Sequence, residues 1–391
     1  MIPLKTLSSS PESSLRNADW YWMLGEDTQS YITNEVVVVS EHEAEKFYDA
    51  TNQLYEMYIE AAQHVIDTNK FEALGIPENL IELIKYSWDN DRQWHIYGRF
   101  DLAGGLNGQP IKLIEFNADT ATCIPETAIV QWASLKANRL DETQQFNTLY
   151  EALTAQFKEL KTQNPNHEPT LLISTMEGFP EDDTNMQVLG EAAREAGFEV
   201  AFEHIENVEF SPVEGIYKQS SDNGSFTKYD FWFKLVPWEY IGWDEPELVQ
   251  ILTQLVTSGK TIVLNPAYTL LFQSKGILKV LWDLYPNHPL LLYTDNKPLE
   301  NQISVEKVLF GREGANVRIF SNTQDDIAHT DGEYTEQAKV YQQYVDFLQD
   351  THGNYYQAGV FFSAEACGLG FRRGGKIINN TAQFCGHLIE G

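Results

Sequence analysis

The sequence predicts a mixed α/β (α+β) protein with two or three lobes. Three patterns carry this prediction: apolar residues at helical spacing in residues 41–69, two alternating runs around a Gly/Asn-rich loop in residues 96–117, and a strand–helix–strand pattern in residues 170–204. Helical and β patterns occur in separate segments, so both kinds of element are expected. At 391 residues, 42% of them hydrophobic, the chain is long enough to bury a large core.

The first region is predicted to be helical before and after the alternating runs. In residues 41–69 apolar side chains recur every three or four positions and would form one buried stripe. Its members are Ala44, Phe47, Thr51, Leu54, Tyr58, Ala61 and Val65. Shorter helices are predicted from Asn79 to Ser87 and from Pro125 to Lys136. The latter begins with proline and has Glu126 in its first turn.

The two alternating runs predict a β-hairpin with a chemically unusual face. Side chains on one face of a strand recur every second residue, which places Arg99 and Asp101 together on the first strand, and Glu115 and Asn117, with Leu113, on the second. Two carboxylates, an amide and a guanidinium are suited to Mg²⁺ and phosphate. For the hairpin alone, a solvated face with surface ion pairs is the alternative.

The middle region is predicted to start near Pro169 as a small α/β lobe. Its expected elements, in order, are a strand at Thr170–Ser174, a helix at Thr184–Ala196 ended by Gly197, a strand at Glu199–His204, a loop at Tyr217–Phe226, a strand at Asp230–Val236 and a helix at Pro246–Thr257.

The last region carries two lysines and a glycine-containing loop. The expected elements are a helix at Thr269–Tyr285 with Lys275, a strand at Gln302–Phe310 with Lys307, the loop 311–317, an acidic loop at Ser321–Tyr334 and short strands with a Gly374–Gly375 turn. Lysines and a small-residue loop can bind nucleotide phosphates. Taken singly, each lysine could equally be an ordinary surface residue.

Composition excludes several classes of function. The net charge of −30, from 57 acidic and 27 basic residues, argues against nucleic acid or anionic lipid as a partner. It favours a cationic substrate such as a polyamine, although acidity can also simply serve solubility. No run of 18 apolar residues suggests a membrane span, and the N-terminal residues lack the apolar core of a signal peptide. Three cysteines do not form a disulfide framework, so a cytoplasmic location is expected.

Common nucleotide and metal motifs are missing from the sequence. Residues 370–377 match G-x₄-G-K, but Ile377 stands where a Mg²⁺-binding hydroxyl belongs, and no helix is predicted to follow. Neither a G-x-G-x-x-G signature nor zinc-ligand spacing occurs. Arg372 and Arg373 taken alone would be a charged turn.

Two further groups of polar residues have a structural and a functional interpretation. Thr120 and Thr122 could cap the following helix or bind a substrate carboxylate. The run Glu181-Asp182-Asp183 could be a solvated helix start or a clamp for a cationic amine.

In combination, these segments resemble the glutathionylspermidine synthase family of ATP-grasp ligases, in particular its stand-alone synthetase-like acid–amine ligases. The resemblance spans Trp20 to Gly391. It rests on Arg99-Phe-Asp101, Glu115-Phe-Asn-Ala-Asp-Thr120, Lys234-Leu-Val-Pro-Trp-Glu239, Leu264-Asn-Pro-Ala, Ser274-Lys275, Leu281-Trp, Pro286-Asn-His-Pro and Arg312-Glu-Gly-Ala-Asn-Val317.

The resemblance implies an ATP-grasp fold with glutathionylspermidine-synthase-like lobes. These would be an N-terminal lobe with the metal-binding hairpin (1–165), a small α/β substrate lobe (166–260) and an ATP-grasp nucleotide-binding region (261–391). A single synthetase unit without an amidase domain is expected.

The resemblance also implies roles for individual residues. Mg²⁺, with two ions expected, would be held by Asp101, Glu115 and Asn117, with Glu115 bridging the ions. Arg99 would stabilise charge in the transition state and is the expected catalytic residue. ATP would contact Arg99, Phe100, Asp101, Lys275, Lys307, Gly314, Gln343, Arg372 and the strand segment Ile378-Asn379-Asn380. Substrate would contact Thr120, Thr122, Glu181 and Asp182; the glutathione-using members carry serines at the first two positions and glutamates at the last two.

The expected activity is an ADP-forming ligation in which ATP phosphorylates a carboxylate and an amine displaces the phosphate. The partners would be a small-molecule acid and amine, for example glutathione or a related peptide and a polyamine. Two alternatives stay open: a ligase for an unrelated acid and amine, and a nucleotide-binding regulator without turnover.

Overall fold

The computed structural model describes residues 1–25, 30–91, 94–220, 224–321, 323, 325–334 and 336–390. Within these ranges the chain forms ten α-helices and five β-sheets, which confirms the mixed α/β class. No helix in this part of the chain is both long and apolar enough to cross a membrane.

The α-helices are distributed along the whole chain. In order they are α1 (Glu12–Asn17), α2 (Glu41–Thr68), α3 (Ile81–Asn90), α4 (Gln131–Ala137), α5 (Leu149–Gln163), α6 (Pro180–Glu195), α7 (Trp238–Asp244), α8 (Pro246–Thr257), α9 (Thr269–Gln273) and α10 (Ile277–Leu284). Short 3₁₀ helices lie at Tyr21–Leu24, Glu72–Leu74, Glu78–Leu80 and Ile205–Asn207, and a π-helical turn at Glu126–Val130 leads into α4.

The strands are mostly short, with two long ones near the end. In order they are β1 (Leu4–Thr6), β2 (Glu35–Val39), β3 (Gly98–Ala103), β4 (Lys112–Asn117), β5 (Thr170–Ser174), β6 (Glu199–Phe202), β7 (Val208–Ser211), β8 (Gly215–Gln219), β9 (Phe226–Tyr229), β10 (Phe231–Lys234), β11 (Ile262–Leu264), β12 (Thr294–Asp295), β13 (Ser304–Val308), β14 (Arg318–Phe320), β15 (Asp326–His329), β16 (Lys339–Gln343), β17 (Leu348–Gln349), β18 (Tyr355–Ser363), β19 (Glu365–Gly374), β20 (Gln383–Cys385) and β21 (His387–Ile389).

Two antiparallel sheets build the site. The hairpin sheet has the order β20–β19–β18–β3–β4, with β17 paired to β18, so the predicted hairpin joins strands from the other end of the chain. The lysine sheet has the order β12–β16–β13–β14–β15 and carries Lys307 on β13.

The remaining sheets are a parallel sheet and two small ones. The parallel sheet, in the order β11–β10–β5–β6, contains the predicted strand–helix–strand unit, with α6 connecting β5 and β6. Strands β1, β2 and β21 form one small sheet, and β7, β8 and β9 form an antiparallel meander. Two sheets thus connect residues 1–165 with residues 261–391; the three-lobe division itself stays a prediction.

The core confirms the long helix and the alternation of the first hairpin strand. A reciprocal cap between Ser40 and Glu43 starts α2, and its apolar stripe is buried. Tyr58 of this stripe packs edge-on against Phe100 and Phe116, whose rings stack on each other 3.7 Å apart. One face of the hairpin sheet therefore belongs to the core, and Arg99 and Asp101 lie on the other face.

The prediction that Leu113 lies on the same face as Glu115 and Asn117 was wrong. Asp101 pairs with Glu115 and Leu102 pairs with Leu113, so Ile114 is an extra residue in the second strand. Such a β-bulge reverses the alternation of side chains. Leu113 consequently lies in the core, whereas Ile114 lines a cavity next to Glu115.

The predicted helix at 269–285 is interrupted at Ser274–Gly276. There the Lys275 amide donates to Leu309 O (2.9 Å) and the Ser274 hydroxyl donates to Leu74 O (2.7 Å). These tertiary hydrogen bonds replace helical ones and place Lys275 between α9 and α10.

Other element predictions also needed correction. Residues 217–226, predicted as a loop, include parts of β8 and β9, and residues 221–223 lie outside the described ranges. The predicted loop 321–334 contains β15, with residues 322 and 324 not described. The tail forms two long strands of nine and ten residues instead of short ones. Helix α6 begins at Pro180, four residues before the predicted start.

Candidate active site

A single cavity of about 850 Å³ lies between the hairpin sheet, the lysine sheet and the N-terminal end of α6. Almost all of the predicted site residues line it. They are Arg99, Asp101, Glu115, Asn117, Thr120, Thr122, Glu181, Asp182, Lys275, Lys307, Gly314, Gln343, Arg372, Ile378, Asn379 and Asn380. Phe100 differs, because its ring lies in the core against Phe116.

The hairpin brings Arg99 and Asp101 into a bidentate ion pair. Arg99 Nε lies 2.7 Å from Asp101 Oδ1 and Nη2 lies 3.1 Å from Oδ2, and Nη1 donates to Thr122 O at 2.7 Å. Burial alone would lower the pKa of Arg99, but the Asp101 carboxylate raises it above its ordinary value. A Cβ at Gly359 on the neighbouring strand would come within 3.1 Å of Arg99 Cδ, so glycine there leaves room for the arginine. The guanidinium is therefore held in one orientation.

Glu115 lies between the two predicted lysines. Its Oε2 atom is 3.4 Å from Lys275 Nζ and 4.0 Å from Lys307 Nζ. Burial would raise the pKa of Glu115, but the two ammonium groups lower it below its ordinary value. Burial lowers the pKa of Lys307 to about 8, and Glu115 partly offsets this effect. The three residues form a charged cluster that adjoins Asp101.

The lysines are held by neutral acceptors as well. Lys307 Nζ donates to Gln342 Oε1 (2.9 Å) and to Ile114 O (3.1 Å). Lys275 Nζ donates to Gly311 O (2.6 Å), the first residue of the loop 311–317. Both lysines line the cavity, and these hydrogen bonds restrict the positions of their ammonium groups.

The hairpin residues fit a Mg²⁺ site completed by phosphate oxygens. In the described residues no group of three or more His, Cys, Asp or Glu side chains is placed to hold a metal ion. Asp101 and Glu115 are cross-strand neighbours, however, and Asn117 Nδ2 lies 3.1 Å from Asp101 Oδ2. Mg²⁺ is commonly bound by one or two carboxylates together with substrate phosphates. The donor set therefore fits a cation that arrives with a nucleotide.

The loop 311–317 closes one side of the cavity. Arg312 donates to Thr120 Oγ1 and to the fully buried Glu239 of α7, both at 2.5 Å. Tyr334 contacts Tyr240 of α7 through the two hydroxyls at 2.8 Å. The loop is therefore docked on α7, which follows β10, and on Thr120, which follows the hairpin.

Gly314, in the same loop, lies against residues 377–378. Gly314 has a φ of +69°, and a Cβ there would come within 2.4 Å of Ile378 O. Residues 378–380, predicted as a strand, belong to no strand and lead into a turn closed by the hydrogen bond from Ala382 N to Asn379 O (3.1 Å). Arg372 Nη2 donates to Asn379 O (3.3 Å) and Ala382 O (3.0 Å), which fixes this turn beside the arginine.

Glu181 and Asp182 provide an acidic end to the cavity. Both lie in the first turn of α6. Burial, followed by the charge of Glu126, raises the pKa of Glu181 to about 7. Burial, followed by the charge of Asp183, raises the pKa of Asp182 to about 6. A positively charged ligand would stabilise the ionised form of these two carboxyl groups.

The helix-capping interpretation of Thr120 and Thr122 is wrong. The helical segment that follows begins at Ile124, whose amide donates to Asn185 Oδ1 (2.9 Å) and not to either threonine. Thr120 instead accepts from Arg312, and Thr122 contributes its carbonyl to Arg99. Both threonines line the cavity.

A buried network fixes the base of the hairpin. Lys234 Nζ lies 2.9 Å from Asp119 Oδ1, and neither side chain is exposed. Asn265 Nδ2 donates to the carbonyls of Tyr97, Ala118 and Asp119. The network connects the parallel sheet to the hairpin and so positions the two sides of the cavity relative to each other.

Sequence reasoning missed several cavity residues. Arg312 and Tyr240 follow or belong to segments that carried the resemblance, so their proximity to the site had a signal. Trp22 and Tyr31 come from the N-terminal segment, which has no motif. Their rings are 5.4 Å apart, and Trp22 Nε1 donates to Thr184 Oγ1 of α6 at 2.9 Å.

The fold is that of glutathione synthetase-like, ATP-grasp-related proteins. A glutathione synthetase-like effector from Globodera pallida, solved in its apo form, superposes with a TM-score of 0.58 at 10% identity, covering 99% of this chain and all of that one. Over residues 4–390 the sequence also matches the family described as "Glutathionylspermidine synthase preATP-grasp". The chain therefore belongs to the glutathionylspermidine synthase family, as the motifs predicted.

Relatives include one of similar length and others that are longer. A Haemophilus influenzae protein named "Putative acid–amine ligase" is 30% identical over 384 residues, which is 95% of this chain and 94% of that protein. The Escherichia coli bifunctional glutathionylspermidine synthetase/amidase is 26% identical over 87% of this chain and 55% of its own length. Trypanothione synthetase of Crithidia fasciculata is 24% identical over 83% of this chain and 52% of its own. The chain thus spans about half of the two longer relatives.

Proposed function

We propose that this protein is an ATP- and Mg²⁺-dependent, ADP-forming carboxylate–amine ligase. The observation that carries the proposal is that one cavity brings together two chemically different sides. Arginines, lysines and two carboxylates with an amide lie at one side, and the acidic pair of α6 lies at the other. The names of the relatives, which are synthetases and an acid–amine ligase, support the same activity.

We assign the phosphate side of the cavity to Arg99, Lys275, Lys307 and Arg372. The two lysines provide point charges for phosphate oxygens, and the Arg99 guanidinium is oriented by Asp101 towards the transferring group. Donors that are already oriented stabilise developing charge without reorganising during the reaction. Phe100 would contribute only its main chain, since its ring lies in the core.

We assign Asp101, Glu115 and Asn117 as the residues that would hold Mg²⁺ together with phosphate oxygens. Bound Mg²⁺ would neutralise phosphate charge while ATP activates a carboxylate as an acyl phosphate. The lysines that now contact Glu115 lie 3.4 and 4.0 Å away and can turn their charge to phosphate oxygens instead.

The loop 311–317 is proposed to exclude water from the activated acid. Its docking through Arg312 on Glu239 and Thr120 closes the cavity over the hairpin. An acyl phosphate hydrolyses if water reaches it, so closure favours attack by the amine. In this assignment residues 1–165 carry the metal site, residues 166–260 the substrate side and residues 261–391 the nucleotide side.

The substrates that we propose to test first follow from the polar groups that line the substrate side of the cavity. Thr120 and Thr122 offer hydroxyls to a carboxylate, and Glu181 and Asp182 offer negative charge to a cationic amine. Glutathione, or a related peptide, and a polyamine such as spermidine fit this division.

The test is a screen for ADP formation that depends on both an acid and an amine. Glutathione, γ-glutamylcysteine and glutamate are paired with spermidine, putrescine and ethanolamine, and the amide product is identified by mass spectrometry. Asp101→Asn and Glu115→Gln are the matched controls, because each keeps the shape of the side chain and removes a hard ligand. ATP binding without stimulation by any pair would refute the ligase proposal and favour the regulator.

A further inference from the structure

Beneath the acidic end of the cavity lies a carboxylate that the proposed function does not use. Glu126 is completely buried in the π-helical turn, and its Oε2 atom has no hydrogen-bond partner among the described residues. Its Oε1 atom accepts a hydrogen bond of 2.6 Å from the hydroxyl of Tyr31. Burying a carboxylate with so few partners is costly, and π-helical turns occur frequently at functional sites.

This hydrogen bond fixes what Tyr31 can offer to a ligand. A phenol has one O–H donor and can also accept. Since the proton of Tyr31 is directed at Glu126, the oxygen can only accept towards the cavity that the ring lines. Burial, together with Cys123 and Glu126, raises the pKa of Tyr31 well above its ordinary value, so the phenol keeps its proton.

The neighbours of Tyr31 leave this acceptor available. Cys123 Sγ is 4.0 Å from the hydroxyl, at the outer limit of a sulfur hydrogen bond. The guanidinium of Arg372 lies over the ring at 5.9 Å, with Nη1 on Cys123 and Nη2 on main-chain carbonyls, and its Nε has no partner in the described residues.

The position of Tyr31 suits the nitrogen of the amine. Arg372, on the proposed phosphate side, lies over one face of its ring, and Trp22 provides an apolar wall 5.4 Å away. Trp22 also donates to Thr184 Oγ1 of α6, the helix whose first turn carries Glu181, which places the Tyr31 ring near the acidic end. The nitrogen must lie between these two ends, because it is attracted by the carboxylates and attacks the activated acid.

We propose that Tyr31 orients the amine by accepting a hydrogen bond from one of its N–H groups. Glu126 is a positioning residue that fixes the direction of the Tyr31 hydroxyl. The ammonium proton passes to the acidic pair of α6, and the N–H group that remains hydrogen-bonded to Tyr31 turns the freed lone pair towards the acyl carbon, from which phosphate leaves as the C–N bond forms. Tyr31 takes no proton in this role. The inference rests on the proposed ligase function and adds two residues to it.

The experiment compares Tyr31→Phe and Glu126→Gln with the unmodified protein, using the acid and amine of the screen that give the highest rate. Tyr31→Phe keeps the ring and its packing on Trp22 but removes the acceptor. A glutamine at position 126 can donate to the phenolic oxygen and so occupy it. Each variant should raise the KM for the amine about 10- to 100-fold, the range for one hydrogen bond to a charged or strongly polar group.

Two further readouts separate orientation from a structural role. ATP affinity, measured by calorimetry, should change less than about threefold, and the ratio of ADP to amide should rise above one because the activated acid meets water before the amine. Tyr48→Phe is the matched control, since Tyr48 donates to Glu365 in the same way at the surface away from the cavity. It should leave the KM for the amine and the ADP-to-amide ratio unaltered.

The possible outcomes are distinct. An unchanged KM for the amine in Tyr31→Phe, with an active unmodified protein, overturns this inference and leaves the ligase function standing. Equal losses of amine and ATP affinity in both variants would show a structural role and also overturn it. If no pair in the screen stimulates the unmodified protein, the proposed function fails and this inference fails with it.

Discussion

Replacing Glu181 by glutamine should stabilise the protein and weaken amine binding at the same time. Glu181 faces Glu126, Asp182 and Glu313, with Arg372 as the opposing positive charge. In the unfolded chain it loses its proton near pH 4.5, and in the folded protein only near pH 7. Ionisation therefore favours the unfolded state, and the resulting penalty grows over this interval and is fully present above pH 7.

The size of the effect follows from these two values. The difference between 4.5 and about 7 corresponds to roughly 3 kcal/mol, at about 1.36 kcal/mol per tenfold change in proton affinity. Glu181 is partly exposed, so water screens part of this penalty. The glutamine variant also loses the favourable interaction of a negative charge with the N-terminal end of α6, which reduces the expected gain by about 0.3–1 kcal/mol more. We expect the free energy of unfolding to rise by about 1–2 kcal/mol at pH 8 and by less than half of that at pH 5.5.

Urea denaturation of both proteins at the two pH values measures this difference. Glu177→Gln, at an exposed position before the same helix, is the control, because removing any negative charge relieves repulsion in a chain of net charge −30. The KM for the amine should rise in Glu181→Gln but not in the control. Equal stabilisation by both substitutions, or a gain that is as large at pH 5.5 as at pH 8, would refute the reasoning.

Three other predictions concern the phosphate side and the buried network. Arg99→Ala should lower kcat about 10²- to 10³-fold with a smaller change in ATP affinity, and Arg99→Lys should recover little; retained kcat with lost ATP affinity would make Arg99 a positioning residue. Lys275→Ala and Lys307→Ala should each weaken ATP binding by about 1.5–3 kcal/mol in calorimetry, and unchanged affinities would contradict their assignment. Asp119→Ala should reduce the free energy of unfolding by about 3–5 kcal/mol because it leaves Lys234 buried without its partner, and adding Lys234→Met should restore much of that loss. Additive effects of these two substitutions in urea denaturation would argue against the ion pair.

Local sequence patterns predicted which side chains lie together on one face of a helix or strand. Alternation placed Arg99 and Asp101 together, and the resemblance selected Lys275, Lys307 and Arg372 from distant positions. The pattern did not predict the bulge at Ile114, because a bulge depends on how two strands pair and not on the composition of either one.

Tertiary hydrogen bonds account for the other differences. The periodicity of residues 269–285 is helical, but bonds from Ser274 and Lys275 to Leu74 and Leu309 interrupt the helix. Tyr31 and Glu126 lie far apart in the sequence and belong to no motif, so only the folded chain shows that they meet.

The pairing of β3 with β18 makes the site a product of two segments that are distant in the sequence. Arg99 and Asp101 lie on a strand whose neighbour β18 is synthesised long after it, and Arg372 lies on β19, which pairs with β18. Until β18 arrives, β3 has an unpaired edge. Pairing over such a sequence distance is slow compared with local folding. A nascent chain therefore exposes the hairpin before Arg372 can join it, and nucleotide binding would indicate that these two distant segments have paired.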